Sequence, residues 1–122
     1  MDAFIVKEHF GKLILSGEKD LEIRNKKTLK RGTVGVVFSG TSKVFGLIDI
    51  VDCIEISDKD FSKLTNRHKI FTNRSNIPYK KIYGWVLKNP RIFKEPIPYN
   101  HKLGCVIWVK IDDKHLFENN TL

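Results

Sequence analysis

Short apolar runs rich in β-branched residues recur along the chain, and this pattern constrains the fold more than any other feature. Each run ends at turn-forming residues, and each is too short for a typical helix but long enough for a strand. The predicted strands are residues 4–6, 20–24, 33–38, 44–56, 82–87 and 105–111. Asn89 and Pro90 are expected to break the fifth strand, with pairing resumed over residues 91–93. Gly46 inside the fourth predicts a bulge or a close backbone approach.

Two short helices accompany these strands. Phe10, Leu13 and Ile14 have helical spacing within residues 8–17, and Ser57 is a candidate N-cap for a helix over residues 60–67. With 122 residues, the chain has the length of one domain. We therefore expect a single α+β domain in which five to six strands form a small β-barrel, because barrel closure removes exposed sheet edges. Its core should span residues 4–111, followed by a C-terminal tail over residues 112–122 that is frayed over residues 118–122.

Composition excludes several classes of protein. The chain is 41% hydrophobic, so it is not disordered throughout, and it contains no apolar stretch long enough to span a membrane. The N-terminal residues lack a secretory signal, and Cys53 and Cys105 form no C-x-x-C pair, so we expect a cytoplasmic protein with reduced thiols. The four histidines lack metal-ligand spacing and no phosphate-binding glycine loop occurs, which predicts neither a metal nor a cofactor.

Positive charge is concentrated in two segments. The formal net charge is +8, and residues 61–94 contain nine basic residues and no acidic one. Residues 24–31 contain five more basic residues in eight positions. Clustered cations indicate a surface that faces a polyanion such as nucleic acid, because phosphate contacts need several cations together. The alternative is that these lysine-rich segments are simply solvated.

A charged motif lies between the first predicted helix and the second strand. In an alternating strand, burial of Leu21 and Ile23 forces Glu22 and Arg24 onto the opposite face. Lys19 precedes them in the turn and can join that face. The three side chains can bind a phosphate and a base edge, and a partly buried lysine can also act as a base. The alternative is an ion-pair network on the surface that only shapes the junction.

Two aromatic residues on the fifth predicted strand are candidates for stacking on a base. Tyr83 and Trp85 alternate with Gly84 and therefore share one face. Both carry a polar group suited to the rim of a cleft, and the alternative is that they belong to the core.

The sequence resembles the ASCH domain family. The resemblance is carried by Gly-x-Lys-x-x-Glu-x-Arg over residues 17–24, by the blocks at residues 31–34 and 44–52, and by the C-terminal blocks at 83–87, 96–99 and 104–109. It covers roughly residues 4–111. It implies a PUA-like pseudo-barrel with a cleft beside the motif, and binding of RNA or single-stranded nucleic acid.

Motif and charge together nominate the residues that contact nucleic acid. They are Lys19, Glu22, Arg24, Lys26, Lys27, Lys30, Arg31, Arg67, Arg74, Tyr83 and Trp85.

The resemblance also implies an alternative, a small enzyme with Lys19 as base and Glu22 as acid or orienting group. Such an enzyme would resemble the family's ribonucleases or its N4-acetylcytidine amidohydrolases. The amidohydrolases carry a threonine nucleophile where this chain has Glu22, and a carboxylate cannot take over that acyl-transfer role. A third class is an interaction module for an acidic protein partner.

Overall fold

A computed structural model describes residues 1–112 of the chain. Its six strands are β1 (Asp2–Val6), β2 (Leu21–Arg24), β3 (Gly32–Phe38), β4 (Lys43–Ile56), β5 (Ile82–Pro98) and β6 (Trp108–Lys110). Its helices are α1 (Glu8–Ser16), α2 (Asp58–Phe61) and α3 (Thr65–His68), with 3₁₀ turns at Ser62–Leu64 and Arg74–Asn76. The C-terminal tail expected over residues 112–122, including the frayed residues 118–122, lies outside the described residues apart from Asp112.

All six strands form one sheet in the order β2-β5-β4-β3-β1-β6. Strands β1 and β3 are parallel, and the other neighbouring pairs are antiparallel. Helix α1 packs against β3, β4 and β5 and ends where Gly17 adopts a left-handed conformation with φ 86°. The predicted α+β class and the strand count are therefore confirmed.

The sheet is curled but is not closed into the expected barrel. Its edges are β2 and β6, which do not pair with each other among the described residues. Three register shifts between β4 and β5 bend both long strands, and bulges of this kind increase strand curvature. Gly46 lies at one shift, where a Cβ would be 2.4 Å from the Arg91 carbonyl oxygen, so the predicted bulge and close approach are confirmed. The curl brings β2 near β1, and the Arg24 side chain, rather than a strand pairing, spans the remaining gap to the Ile5 carbonyl oxygen.

Several predicted boundaries were wrong. Strand β5 does not break at Asn89 and Pro90, because Asn89 takes a positive φ of 56° at a register shift and pairing then continues. The last strand is confined to Trp108–Lys110 rather than residues 105–111. The predicted second helix is divided into α2, a 3₁₀ turn and α3, although the Ser57 hydroxyl caps it as expected by accepting from the Asp60 N–H.

The largest core cluster lies inside the curl. Phe4, Trp85 and Leu87 pack there with residues of β3, β4 and α1, and Trp108 packs against them from β6. A separate cluster, which includes Leu21 and Phe61, joins β2 to the α2–α3 segment. Within residues 1–112, no helix is long and apolar enough to cross a membrane.

Candidate functional site

Strand β2 separates apolar and charged side chains as its alternation predicts. Leu21 and Ile23 are buried, and Glu22 and Arg24 lie opposite Trp85 and Tyr83 of β5. The turn before β2 is held by the Lys19 N–H, which donates to the Leu13 carbonyl oxygen over 3.0 Å. The structure brings Lys19, Glu22 and Arg24 together in the lining of one cleft. We call these three residues the charged trio.

Lys19 is the most unusual member of the charged trio, because its side chain is only 1% exposed. Its ammonium donates to the His68 carbonyl oxygen, lies 3.5 Å from Glu22 Oε1 and sits 4.6 Å above the Phe10 ring. Burial lowers the pKa of Lys19, and the Glu22 carboxylate opposes part of that decrease. Lys19 is thus a fixed, poorly solvated cation at the cleft.

Glu22 lies between the two cations. Its Oε2 accepts from Arg24 Nε over 2.8 Å, while Oε1 faces the Lys19 ammonium. Arg24 Nη2 donates to the Ile5 carbonyl oxygen over 2.8 Å, and its guanidinium lies over the rings of Phe4 and Trp85. These contacts fix the carboxylate and the guanidinium before any ligand arrives, which is the requirement for a preorganised recognition site.

His68 supplies the carbonyl oxygen that accepts a hydrogen bond from Lys19, and its own ring is held in the core. It is fully buried, and its ring stacks on Phe61 with centroids 4.2 Å apart. Nδ1 accepts from the Ile70 N–H, so Nε2 carries the proton and donates to the Phe61 carbonyl oxygen over 2.8 Å. Burial lowers the pKa of His68, which holds the ring neutral beside the Lys19 cation. Nothing in the spacing of the sequence indicated this role for His68.

The cleft above the charged trio has a volume of about 370 Å³. This lies within the range of about 300–1,000 Å³ that is common for small-ligand sites. Its walls are mainly apolar and come from β1, α1, the segment after α3 and the approach to β6. The residues beside the charged trio are Ile5, Val6, Lys7, Phe10, Ile23, Ser39, Ile70, Asn76, Ile77, Pro78, Tyr79 and Val106. A cleft lined by apolar residues on most sides and by the charged trio on another suits a flat ligand with a polar edge.

The segment at residues 70–79 forms one wall, and Arg74 holds it in shape. Arg74 donates to the carbonyl oxygens of Ile77 and Tyr79 and pairs with Asp58 over 2.9 Å. Its side chain is 14% exposed, so its guanidinium is committed to the protein itself. A phosphate contact by Arg74 stays a prediction, and in this structure the loop carbonyl groups and Asp58 take its donors.

Trp85 is likewise a core residue. Its ring is buried, stacks on Trp108 with centroids 5.6 Å apart and donates from Nε1 to the Lys26 carbonyl oxygen. Its two faces are covered by Trp108 and Arg24, so the ring presents no open face to a base in this structure, and stacking by Trp85 stays a prediction. Tyr83 is half-buried on the same strand face, opposite Arg24.

The remaining candidate cations divide into paired and unpaired groups. Lys30 pairs with Asp2 and lies over the Trp108 ring, Arg31 pairs with Asp52 over 3.8 Å, and Arg67 pairs with Asp20 over 2.8 Å. Lys26 and Lys27 are exposed in the loop after β2 and make no ion pair with residues 1–112. Of the five basic residues at positions 24–31, these two lysines are the ones without an acidic partner among the described residues.

The sequence model of the ASCH domain matches residues 4–97 of this chain. The chain belongs to the ASCH domain family. That family is associated with RNA binding. Comparison with curated protein sequences gives no match.

Solved structures show the same fold. The ASCH protein from Zymomonas mobilis is 13% identical, superposes with a TM-score of 0.72, and the match covers 96% of this chain and 91% of that one. Two single-substitution variants of the Z. mobilis protein give TM-scores of 0.71 and 0.67, at 13% and 14% identity, with 92% and 94% of those chains covered. The curled sheet described above is thus an ASCH fold. Among residues 1–112 of this ASCH chain, no group of three or more His, Cys, Asp or Glu side chains is placed to hold a metal ion.

Proposed function

We propose that this ASCH domain binds RNA or another single-stranded nucleic acid, with an unpaired base in the cleft above the charged trio. One observation carries the proposal. A buried carboxylate held between two cations lines a cleft whose other lining residues are mainly apolar, so the cleft supplies both hydrogen-bonding groups for a base edge and apolar contact for its faces.

The exposed cations near this site would contact the phosphates. Lys26 and Lys27 follow β2 directly, and Lys7 lies in the cleft lining. Tyr79 lines the cleft and offers it an aromatic ring, whereas Trp85 is not among the lining residues.

Titration of a labelled RNA hexamer tests the proposal. We expect binding that weakens steeply as salt rises, because phosphate contacts release counterions. Lys19→Met should weaken binding. Lys43→Met should leave binding unchanged, because Lys43 is exposed and lies outside the two basic segments at residues 24–31 and 61–94. No affinity for RNA or single-stranded DNA at ~50 mM salt would contradict the proposal.

A second candidate, an enzyme acting on RNA or a modified nucleoside, is favoured by one observation. Burial lowers the pKa of Lys19 at the cleft, which favours its neutral amine, the form of a lysine that can accept a proton. Mass spectrometry of RNA oligomers and acylated cytidines after incubation with the protein separates the two candidates. Products that disappear with Lys19→Met but not with Lys43→Met would favour chemistry, and unchanged oligomers would favour binding alone.

A further inference from the structure

We propose that the cleft selects a base that presents a ring N–H between two carbonyl oxygens, which is the edge of uracil. This inference rests on the proposed function and specifies its ligand. Its basis is the order of donors and acceptors in the charged trio.

The charged trio presents donor, acceptor and donor groups in a row. Lys19 and Arg24 flank opposite oxygens of Glu22, at 3.5 Å from Oε1 and 2.8 Å from Oε2. An ammonium and a guanidinium only donate hydrogen bonds, and an ionised carboxylate only accepts them. A ligand that satisfies all three must therefore present an acceptor, a donor and an acceptor.

Each member of the charged trio retains capacity for a ligand. Glu22 Oε1 lies 3.5 Å from Lys19 Nζ, and because each carboxylate oxygen has two lone pairs, Oε1 can accept from a ligand as well. Arg24 uses Nε and Nη2 within the protein, and its Nη1 makes no hydrogen bond to another residue of the described chain. The Lys19 ammonium has three donors; the His68 carbonyl oxygen takes one and Glu22 Oε1 faces a second, which leaves one for a ligand.

Among the four RNA bases, only uracil has the matching edge. Its N3–H lies between O4 and O2, so the N–H meets Glu22 while the two carbonyl oxygens meet Lys19 and Arg24. Cytosine places an acceptor nitrogen against the carboxylate, and adenine has no ring N–H on that edge. Guanine offers an N–H and one carbonyl group, but its amino group would meet a cation. Mismatched polar groups in a buried site are costly because they lose their solvent and gain no partner.

The test compares labelled hexamers of uridine and N3-methyluridine at ~50 mM salt. The two ligands have the same backbone and charge. They differ only at N3, where a methyl group replaces the hydrogen that uridine would donate to Glu22. We expect the methylated hexamer to bind at least about tenfold more weakly, the usual discrimination of one good base contact, with cytidine and adenosine hexamers also weaker. Equal affinity for the uridine and methylated hexamers would overturn the uracil inference and leave the proposed function standing. No binding of any hexamer would overturn both.

A variant pair sharpens this result. Glu22→Gln retains a carbonyl oxygen and adds an amino donor, so it can meet the acceptor nitrogen of cytosine as well as the N–H of uracil. We expect the preference for uridine over cytidine to fall about tenfold towards equality. Glu18→Gln, at an exposed carboxylate in the turn before Lys19, is the matched control and should keep the preference. A folded Glu22→Gln protein that keeps the full preference would overturn the inference.

Discussion

Lys19 and Lys26 stand on either side of β2, yet their ammonium groups lie in opposite surroundings. Lys19 is buried and contacts a carboxylate, a carbonyl oxygen and an aromatic ring, whereas Lys26 is exposed and makes no ion pair within residues 1–112. A buried charge has lost its water and must keep fixed partners, while an exposed charge is screened by solvent. The first type can specify which base is bound, and the second can only raise affinity for phosphates.

The same contrast applies to the acid-free segment at residues 61–94. Arg67, Arg74 and Arg91 of this segment pair with acidic residues outside it. Lys81 precedes β5, and the two lysines of the segment on that strand, Lys88 and Lys94, are separated by roughly 20 Å of extended chain. A run of basic residues in sequence is therefore not one positive face in space.

The largest effect should follow from breaking the buried pair. Glu22→Gln removes the nearest counter-charge of Lys19, and loss of one partner of a buried pair is expected to cost about 3 kcal/mol of unfolding free energy. Denaturant unfolding at neutral pH measures this loss. Glu18→Gln, in an exposed position, should change the unfolding free energy by less than about 0.5 kcal/mol.

The cost of Glu22→Gln should depend on pH in a defined direction. The pKa of Lys19 is already lowered by burial, and without Glu22 it should fall further, so the unfolded chain binds the proton more tightly than the folded protein does. Stability of the variant should then rise with pH between the folded and unfolded pKa values of Lys19. A deficit that stays constant from neutral pH to about pH 10, just below the ordinary lysine pKa, would contradict the burial of a charged Lys19.

An intermediate effect is expected at the wall of the cleft. Arg74→Met removes the donors to the carbonyl groups of Ile77 and Tyr79 and should lower stability by about 2 kcal/mol. Arg67→Met removes a pair whose arginine side chain is 40% exposed and should cost no more than about 1 kcal/mol. Thermal unfolding of both variants gives the comparison. Equal losses of stability in the two variants would show that Arg74 contributes no more to the stability of the fold than Arg67 does.

The smallest effect should come from the exposed lysines. Replacing Lys26 and Lys27 with glutamine should leave stability unchanged and reduce the slope of log affinity against log salt by about 1.4, since single-stranded ligands lose about 0.7 per phosphate contact. RNA titrations at several salt concentrations measure the slope. Preference for uridine should not change, and a change in preference would assign base recognition to the loop and not to the cleft.

Local pattern was sufficient to predict much of the charged trio. The alternation of β2 put Glu22 and Arg24 on one face because Leu21 and Ile23 had to be buried. The partner of Lys19 could not be predicted, since the His68 carbonyl oxygen comes from a distant part of the chain and no pattern marks a backbone acceptor.

The sequence likewise predicted part of the fold. The strands of the first half follow from β-branched runs and turns, but the extent of the later strands depends on long-range pairing. Asn89 continues β5 through a bulge, while residues 105–107 stay outside β6 despite their strand-like composition. The choice between core and cleft for Trp85 could not be made from the sequence for the same reason, because alternation gives the face of a strand and not what covers that face.

The most direct test of the account maps the RNA contact on the folded protein. Amide chemical-shift changes are recorded by NMR while a uridine hexamer is added to the isotopically labelled chain. The account predicts the largest changes in residues 19–24 and 70–79, with smaller ones at Lys26 and Lys27. Changes confined to the exposed lysines of β5, with the amides of the charged trio unmoved, would contradict the claim that the cleft receives the base.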